Sequence, residues 1–214
     1  MPSGLKPILI IFVKAPRPGH VKTRLAASLG LAAACSAYGK LVATLAENLR
    51  SLAQVELRIT PDDAGDELQQ RLGSKGWKLR PQGAGDLGTR LTSAFAEAFA
   101  GGSTAVSVIG SDCPYLTTED IRASWEGTTD HDVVLGPADD GGYWLIALRS
   151  PQPGLFNGIH WGTDRVLEQT LARTRELKLK VQMLRALEDV DTETAWRRFE
   201  AWKNQRIRAG TEAS

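Results

Sequence analysis

The chain has few cysteines, no long apolar run and no excess of charge of either sign. Its 214 residues contain two cysteines, Cys35 and Cys113, without metal-ligand spacing. A disulfide framework is therefore not expected, and a reducing, cytoplasmic compartment is predicted. The formal net charge of +1 gives no broad basic surface for binding nucleic acid. No apolar stretch reaches the length of a membrane span.

Residues for two common kinds of catalysis are missing as well. The three histidines, His20, His131 and His160, are far apart in sequence and form no metal-binding pair. Ser111 lacks the nucleophile-elbow sequence of serine hydrolases. Any chemistry must therefore depend on other residue types.

The order of predicted elements indicates an α/β fold. A chain of this length with 42% apolar residues can form one core, so we predict a single domain over residues 1–209 and a flexible tail over residues 210–214. Strands alternate with helices up to residue 109, which is typical of a parallel sheet covered on both faces. Strands at 132–135 and 143–148 are too close in sequence for a crossover helix and should pair antiparallel. The prediction is a Rossmann-like, three-layer α/β/α sandwich with a mixed, mostly parallel sheet.

A basic loop follows the first predicted strand. Pro18 and Gly19 bend the chain, and a helix is predicted to begin near Val21. Four cations lie on or just after the bend, and they are Lys14, Arg17, Lys22 and Arg24. Together with the unpaired amides at a helix start, they make the loop a candidate phosphate site. The loop matches neither the Walker nor the Rossmann fingerprint, and ordinary solvated cations in a turn are the alternative.

Three aspartates are candidate metal ligands. Asp112 follows a predicted central strand at the sheet edge where α/β folds bind ligands. Asp189 and Asp191 alternate in an extended segment and should point to the same side. Two carboxylates about 4 Å apart repel by roughly 4 kcal/mol at an effective dielectric of about 20. Three converging aspartates therefore predict a bound cation, and Mg²⁺ fits carboxylates and substrate phosphates best.

Structural roles remain open for each of these acids. Asp112 could cap the next helix, although Thr117 suits that position better, and Asp191 could cap the last helix. Asp140 stands in a glycine-rich segment, where a tight turn alone would explain it. Asp86 could either cap a helix or face a ligand.

Five motifs occur in one order along nearly the whole chain. They occupy residues 14–25, 85–91, 110–114, 136–143 and 189–192. Together they resemble a bacterial family of glycosyltransferase-A-like proteins, the nucleotide-diphospho-sugar transferases. Residues 22–25, the turn at 139–142 and the paired aspartates are also similar to the more distant 2-phospholactate and phosphoenolpyruvate guanylyltransferases.

The resemblance implies how a nucleotide would bind. Lys14, Lys22 and Arg24 would contact the diphosphate or triphosphate of a nucleotide sugar or nucleoside triphosphate, at the bend that Pro18 and Gly19 make. Asp86 and its neighbour Gly88 would lie near the base or the ribose.

The same resemblance implies a metal site and an acceptor pocket. Asp112, Asp189 and Asp191 would hold Mg²⁺ or Mn²⁺. Glycines 141–142 and residues 161–163 would line the acceptor pocket. Asp140 is a candidate general base if the acceptor is a hydroxyl.

The expected activity is a Mg²⁺-dependent transfer of a glycosyl or nucleotidyl group to a small acceptor. Lys22, Arg24 and the metal bound by Asp112 would stabilise charge on the phosphate leaving group. Tyr143 follows the glycine pair where the guanylyltransferases have smaller residues, and Ala195 replaces an acid that usually ends the last motif. A non-catalytic nucleotide-binding protein with the same fold is the alternative, and the oligomeric state is open.

Overall fold

The computed structural model describes residues 6–72 and 76–212, which form seven strands and seven α-helices. The strands are β1 (Ile8–Lys14), β2 (Val55–Thr60), β3 (Lys78–Pro81), β4 (Val106–Ile109), β5 (Val133–Pro137), β6 (Tyr143–Leu148) and β7 (Val181–Met183). The helices are α1 (Thr23–Leu29), α2 (Leu31–Asn48), α3 (Gly65–Leu72), α4 (Leu87–Ala100), α5 (Thr118–Gly127), α6 (Val166–Glu176) and α7 (Glu193–Glu212). None of these helices is long and apolar enough to cross a membrane.

The described strands form one mixed sheet in the order β3-β2-β1-β4-β6-β5-β7. Strand β6 runs antiparallel to both of its neighbours, β4 and β5. The other adjacent pairs are parallel. The loop between β5 and β6 is too short for a crossover helix, so these strands form a hairpin. The predicted mixed, mostly parallel sheet is therefore confirmed.

Helices cover both faces of the sheet because successive side chains of a strand point to opposite sides. On one face, Leu9 of β1 belongs to a buried cluster with Leu45 of α2. On the other face, Ile10 packs in a cluster with Leu91 and Phe95 of α4. The result is the three-layer α/β/α sandwich that the sequence predicts.

The last helix packs its aromatic face against the first two helices. Trp196 and Phe199 of α7 are buried with Leu25 of α1 and Leu41 of α2. This contact agrees with the helical spacing of the aromatic residues along α7. It also joins α7 to α1, the helix that follows the basic loop.

The parallel strands β1, β2, β3 and β4 end at one edge of the sheet. Lys14 is the last residue of β1, Gln82 follows β3, and the segment 110–112 follows β4. Loops at this edge of an open α/β sheet are the usual location of ligand sites. The topology therefore brings residues from distant parts of the sequence to one place.

Three helix boundaries differ from the sequence prediction. Helix α1 begins at Thr23 and not near Val21, because Lys22 adopts a left-handed conformation with φ 50° and ψ 46°. The sequence predicts a glycine-rich turn up to Gly88 and a helix from Thr89, whereas helix α4 begins at Leu87, so Gly88 lies inside the helix. Helix α7 continues to Glu212, so residues 210–212 are helical although the sequence predicts a flexible tail there. A glycine inside a helix lowers helix stability by only about 1 kcal/mol relative to alanine, so Gly210 does not end α7. Residues 213–214 lie outside the described residues.

Two leucines of α2 provide a matched test of this packing. Leu41 is 0% exposed, whereas Leu31 is 56% exposed. We expect Leu41→Ala to lower the free energy of unfolding by about 2–5 kcal/mol, because it removes buried methyl groups and leaves a cavity. Leu31→Ala should change it by less than about 0.5 kcal/mol. Urea unfolding of both variants checks this prediction, and equal losses would contradict the burial of Leu41.

Candidate active site

A cleft of about 460 Å³ opens at the carboxyl-terminal edge of the sheet. Lys14, Lys22 and Arg24 line it, as does Arg90 of α4. The first three are the residues that the resemblance places on nucleotide phosphates. Arg90 is not among the site residues predicted from the sequence. A cation in the first turn of a helix is unfavourable beside the helix dipole, and this unfavourable position is a sequence signal of a functional role. The cleft has the electrostatic character expected of an anion-binding site.

Lys22 lies at the centre of the charged groups. Its side chain is 2% exposed, and its Nζ lies 2.5 Å from Asp112 Oδ1 and 2.8 Å from Asp191 Oδ1. Burial lowers the pKa of Lys22, but the negative charges of Asp112 and Asp191 outweigh burial and raise it above its usual value. Lys22 is therefore a charged ammonium group, and it holds two of the three predicted carboxylates together.

A main-chain hydrogen bond joins the two loops that carry these carboxylates. The Val190 N–H donates to the carbonyl oxygen of Asp112 over 3.0 Å. Val190 is fully buried, so the flanking Asp189 and Asp191 are anchored on either side of it. The structure thus brings Asp112, Asp189 and Asp191, the candidate metal ligands, into one region.

The surroundings of Asp189 disfavour its charged form. Its pKa is raised to about 8, chiefly by burial and then by the charges of Asp112 and Asp140, while the charge of Lys22 opposes the rise. Among residues 6–72 and 76–212, no three His, Cys, Asp or Glu side chains converge closely enough to hold a metal ion. The ammonium of Lys22 instead lies between Asp112 and Asp191 and pairs with both. The three-aspartate metal site therefore stays a prediction.

Tyr38 lines the basic cleft, and two hydrogen bonds hold its hydroxyl in place. Its hydroxyl accepts a hydrogen bond from the Lys14 N–H at 3.0 Å and lies 2.7 Å from Ser111 Oγ. Burial and the charge of Asp112 raise the pKa of Tyr38 to about 12, so the phenol stays neutral. Tyr38 fixes the end of β1 relative to the loop after β4. Its position on an apolar helix gave no sequence signal for this role.

A second, smaller cleft of about 200 Å³ adjoins the first. Asp112 lines both clefts, and Asp189 lines the smaller one. Most of the remaining wall is apolar or aromatic, and it includes Leu91, Tyr143 and Trp144. No Lys, Arg or His is among the described residues that line this smaller cleft. It can accommodate a small molecule beside two carboxylates.

The segments expected to form an acceptor pocket have packing roles instead. A Cβ on Gly88 would lie 2.9 Å from Trp161 Nε1, so the two residues are in close contact. A Cβ on Gly141 would lie 2.1 Å from the main-chain oxygen of Asp164. Neither Gly141, Gly142 nor residues 161–163 line the two clefts. Tyr143 and Trp144, the next residues along the chain, take the place expected of the glycines.

Several other candidate residues point elsewhere. Asp86 caps α4, because its Oδ1 accepts a hydrogen bond from the Thr89 N–H at 2.8 Å. Asp140 is exposed and accepts a hydrogen bond from the Gly142 N–H at 2.9 Å, as in a tight turn. Arg17 pairs with Glu67 at 3.2 Å.

Pro18, Gly19 and Gly88 complete the residues expected to bind the nucleotide. Gly19 has φ 83° in the turn before α1, which explains a glycine at that position. Neither Pro18 nor Gly19 lines the basic cleft, and Gly88 lies under Trp161. Gly88 is also the third glycine of a Gly-x-Gly-x-x-Gly sequence at 83–88, but close helix packing accounts for it. The phosphate-loop prediction therefore rests on Lys14, Lys22 and Arg24.

Comparison with known proteins relates the chain to one family and to several individual proteins. The model of the family described as "Uncharacterized protein conserved in bacteria (DUF2064)" matches residues 44–163. A candidate nucleotide-diphospho-sugar transferase from Desulfovibrio desulfuricans G20 is 34% identical, with a TM-score of 0.82 over 88% of this chain and 83% of its own. The predicted resemblance to such transferases is confirmed.

Two further proteins are more distant. The phosphoenolpyruvate guanylyltransferase of Chloroflexus aggregans is 27% identical over 182 residues, which cover 81% of this chain and 86% of that protein. Rv0371c of Mycobacterium tuberculosis H37Rv, solved in complex with manganese, is 16% identical and has a TM-score of 0.52 over 89% of this chain and 96% of its own. The first relationship confirms the distant similarity to guanylyltransferases, and the second shows a shared fold.

The raised pKa of Asp189 predicts a pH-dependent loss of stability. A pKa of about 8, against about 4 in an unfolded chain, means that the native state binds this proton more tightly. Stability therefore falls as the pH rises from about 4 to about 8. We expect D189N, measured by urea unfolding in EDTA, to become progressively more stable than the wild type over this range.

The exposed residue Asp130, outside the cluster, provides the control variant D130N. Each unit of pKa shift corresponds to about 1.4 kcal/mol, so the divergence of D189N from the wild type should be measurable. Parallel stability curves for D189N and the wild type would contradict the effect of burial on Asp189.

Proposed function

The chain belongs to the bacterial DUF2064 family, and we propose that it is a transferase with a nucleotide donor in the basic cleft and a small acceptor in the adjoining cleft. One observation carries the proposal: Asp112 forms a wall of both clefts. A group transferred between two such ligands would move past this carboxylate. The candidate nucleotide-diphospho-sugar transferase at 34% identity supports the same class of reaction.

The basic cleft suits the phosphates of a donor. Lys14, Arg24 and Arg90 line it together with the buried Lys22. Fixed cations in a partly enclosed site stabilise negative charge where it develops on a leaving phosphate. The protein then contributes mainly by positioning and charge neutralisation, for which no side-chain nucleophile is required.

The aspartates are suited to a divalent cation. The single ammonium of Lys22 faces both Asp112 and Asp191. Asp189 carries a third carboxyl group, and the charge of Asp112 raises its pKa. We propose that these aspartates would hold Mg²⁺ or Mn²⁺. When bound, the ion would neutralise charge on the donor phosphates. Lys22 keeps Asp112 and Asp191 aligned at the boundary between the clefts.

The smaller cleft favours an acceptor hydroxyl. A phosphate or carboxylate group would be placed beside Asp112 and Asp189 without a Lys, Arg or His among the described lining residues, and like charges in such a site repel. A hydroxyl can instead donate a hydrogen bond to a carboxylate oxygen. We therefore propose glycosyl transfer from a nucleotide-diphospho-sugar to a small, mostly apolar alcohol.

Nucleotidyl transfer from a nucleoside triphosphate is the second candidate. Two observations favour it, namely the four cations of the basic cleft and the 27% identity to a phosphoenolpyruvate guanylyltransferase. The two reactions release different products. Glycosyl transfer releases a nucleoside diphosphate, whereas nucleotidyl transfer releases pyrophosphate.

Product analysis with Mg²⁺, with Mn²⁺ and with EDTA tests the proposal. The protein is incubated with nucleotide-diphospho-sugars or nucleoside triphosphates and a panel of alcohols, and released nucleoside diphosphate and pyrophosphate are measured. We expect metal-dependent release of nucleoside diphosphate. A metal-dependent rise in melting temperature without any donor consumption would instead indicate a nucleotide-binding protein that lacks catalysis.

Asp112→Asn gives the sharpest variant for this assay. The change removes the charge that borders both clefts and should lower metal-dependent turnover by about a hundredfold or more, which is typical when a charge-stabilising group is lost. D130N is the matched control and should keep wild-type turnover. Unfolding curves confirm that D112N is folded, and full activity of D112N would refute the assignment.

A further inference from the structure

The orientation of Gln82 is fixed by the main chain around it. Its side chain is buried, and Nε2 donates to the carbonyl oxygens of Val13 at 3.2 Å and Arg58 at 3.0 Å. Both partners are acceptors, so the nitrogen and not the oxygen of the amide must face them. Oε1 of Gln82 therefore faces away from these two carbonyl groups.

Gln82 uses this oxygen to hold Arg90. The Arg90 Nη1 donates to Gln82 Oε1 over 3.2 Å. On the other side of the guanidinium, Arg90 Nε is buried and has no hydrogen-bond partner within the described chain. A buried N–H group without a partner is costly, and in native proteins such a group calls for an explanation, such as a bound water, ion or ligand, or a catalytic role. Arg90 also lines the basic cleft.

We infer that Arg90, oriented by Gln82, binds a pair of hydrogen-bond acceptors on the nucleotide donor. Nε–H and the adjacent Nη2–H of an arginine point in the same direction and form a fork. Two phosphate oxygens match this fork, and so do O6 and N7 of a guanine base. This inference rests on the proposed function, because it requires a nucleotide in the basic cleft. Gln82 is a positioning residue that acts through Arg90.

Calorimetric affinities of the full-length protein test the inference. The ligands are GTP, ATP, UTP and inorganic tripolyphosphate, each with Mg²⁺. The variants R90Q and R90K remove the fork, and R90K keeps the positive charge. Arg122, exposed on α5, gives the matched control R122Q. Losing charge-assisted hydrogen bonds should weaken binding by R90Q about tenfold or more, and R90K should show a clear loss as well.

The pattern across ligands identifies which part of the donor Arg90 contacts. Loss of affinity for all three nucleotides and for tripolyphosphate identifies phosphate oxygens as the partners. Loss confined to GTP identifies the guanine edge. If R90Q and R90K bind every ligand as tightly as the wild type, the inference is refuted. If the wild type binds none of these ligands, the inference is also refuted, whereas the proposed function is decided separately by the release of nucleoside diphosphate from nucleotide-diphospho-sugars.

The role of Gln82 is tested by combining substitutions. Q82L should weaken nucleotide binding in the wild-type background but cause no further loss in the R90Q background, because its effect passes through Arg90. A merely structural role would lower the melting temperature equally in both backgrounds and give additive losses of affinity. Additive losses would therefore refute the positioning role.

Discussion

The candidate site depends on one ammonium group held between two carboxylates. Lys22 has a left-handed backbone, which costs a residue other than glycine of the order of 1–3 kcal/mol and persists only where surrounding contacts impose it. The ion pairs with Asp112 and Asp191 supply such contacts from distant parts of the sequence. The same backbone conformation ends the loop after β1 and sets the first residue of α1.

Main-chain bonds place the rest of the site. Val190 pairs with the carbonyl of Asp112, and Leu187 exchanges hydrogen bonds with Pro137 and Asp139. The segment 187–191 therefore pairs with the chain just after β5 and then crosses to the chain just after β4. Because peptide groups make these bonds, the backbone positions this segment, and Lys22 then holds the carboxylate of Asp191.

The sequence predicts the fold and the principal charged residues because those signals are local or periodic. Alternating strands and helices predict the layered sheet, and Lys14, Lys22 and Arg24 follow a strand end. Asp86 and Asp140 could not be assigned, since a cap and a turn use the same residue types as a binding site. Gln82 and Tyr38 were missed because their roles arise from contacts between distant parts of the chain.

Asp112 borders both clefts, so the affinities of ligands bound in the two clefts would be linked. A ligand that changes the electrostatic potential at Asp112 from one cleft alters the free energy of binding in the other. Linkage requires that the effect be reciprocal, so each ligand changes the affinity for its counterpart by the same factor. Under the proposed function, a single carboxylate would thus make occupancy of the two clefts cooperative or mutually opposed, without any change in the shape of the protein.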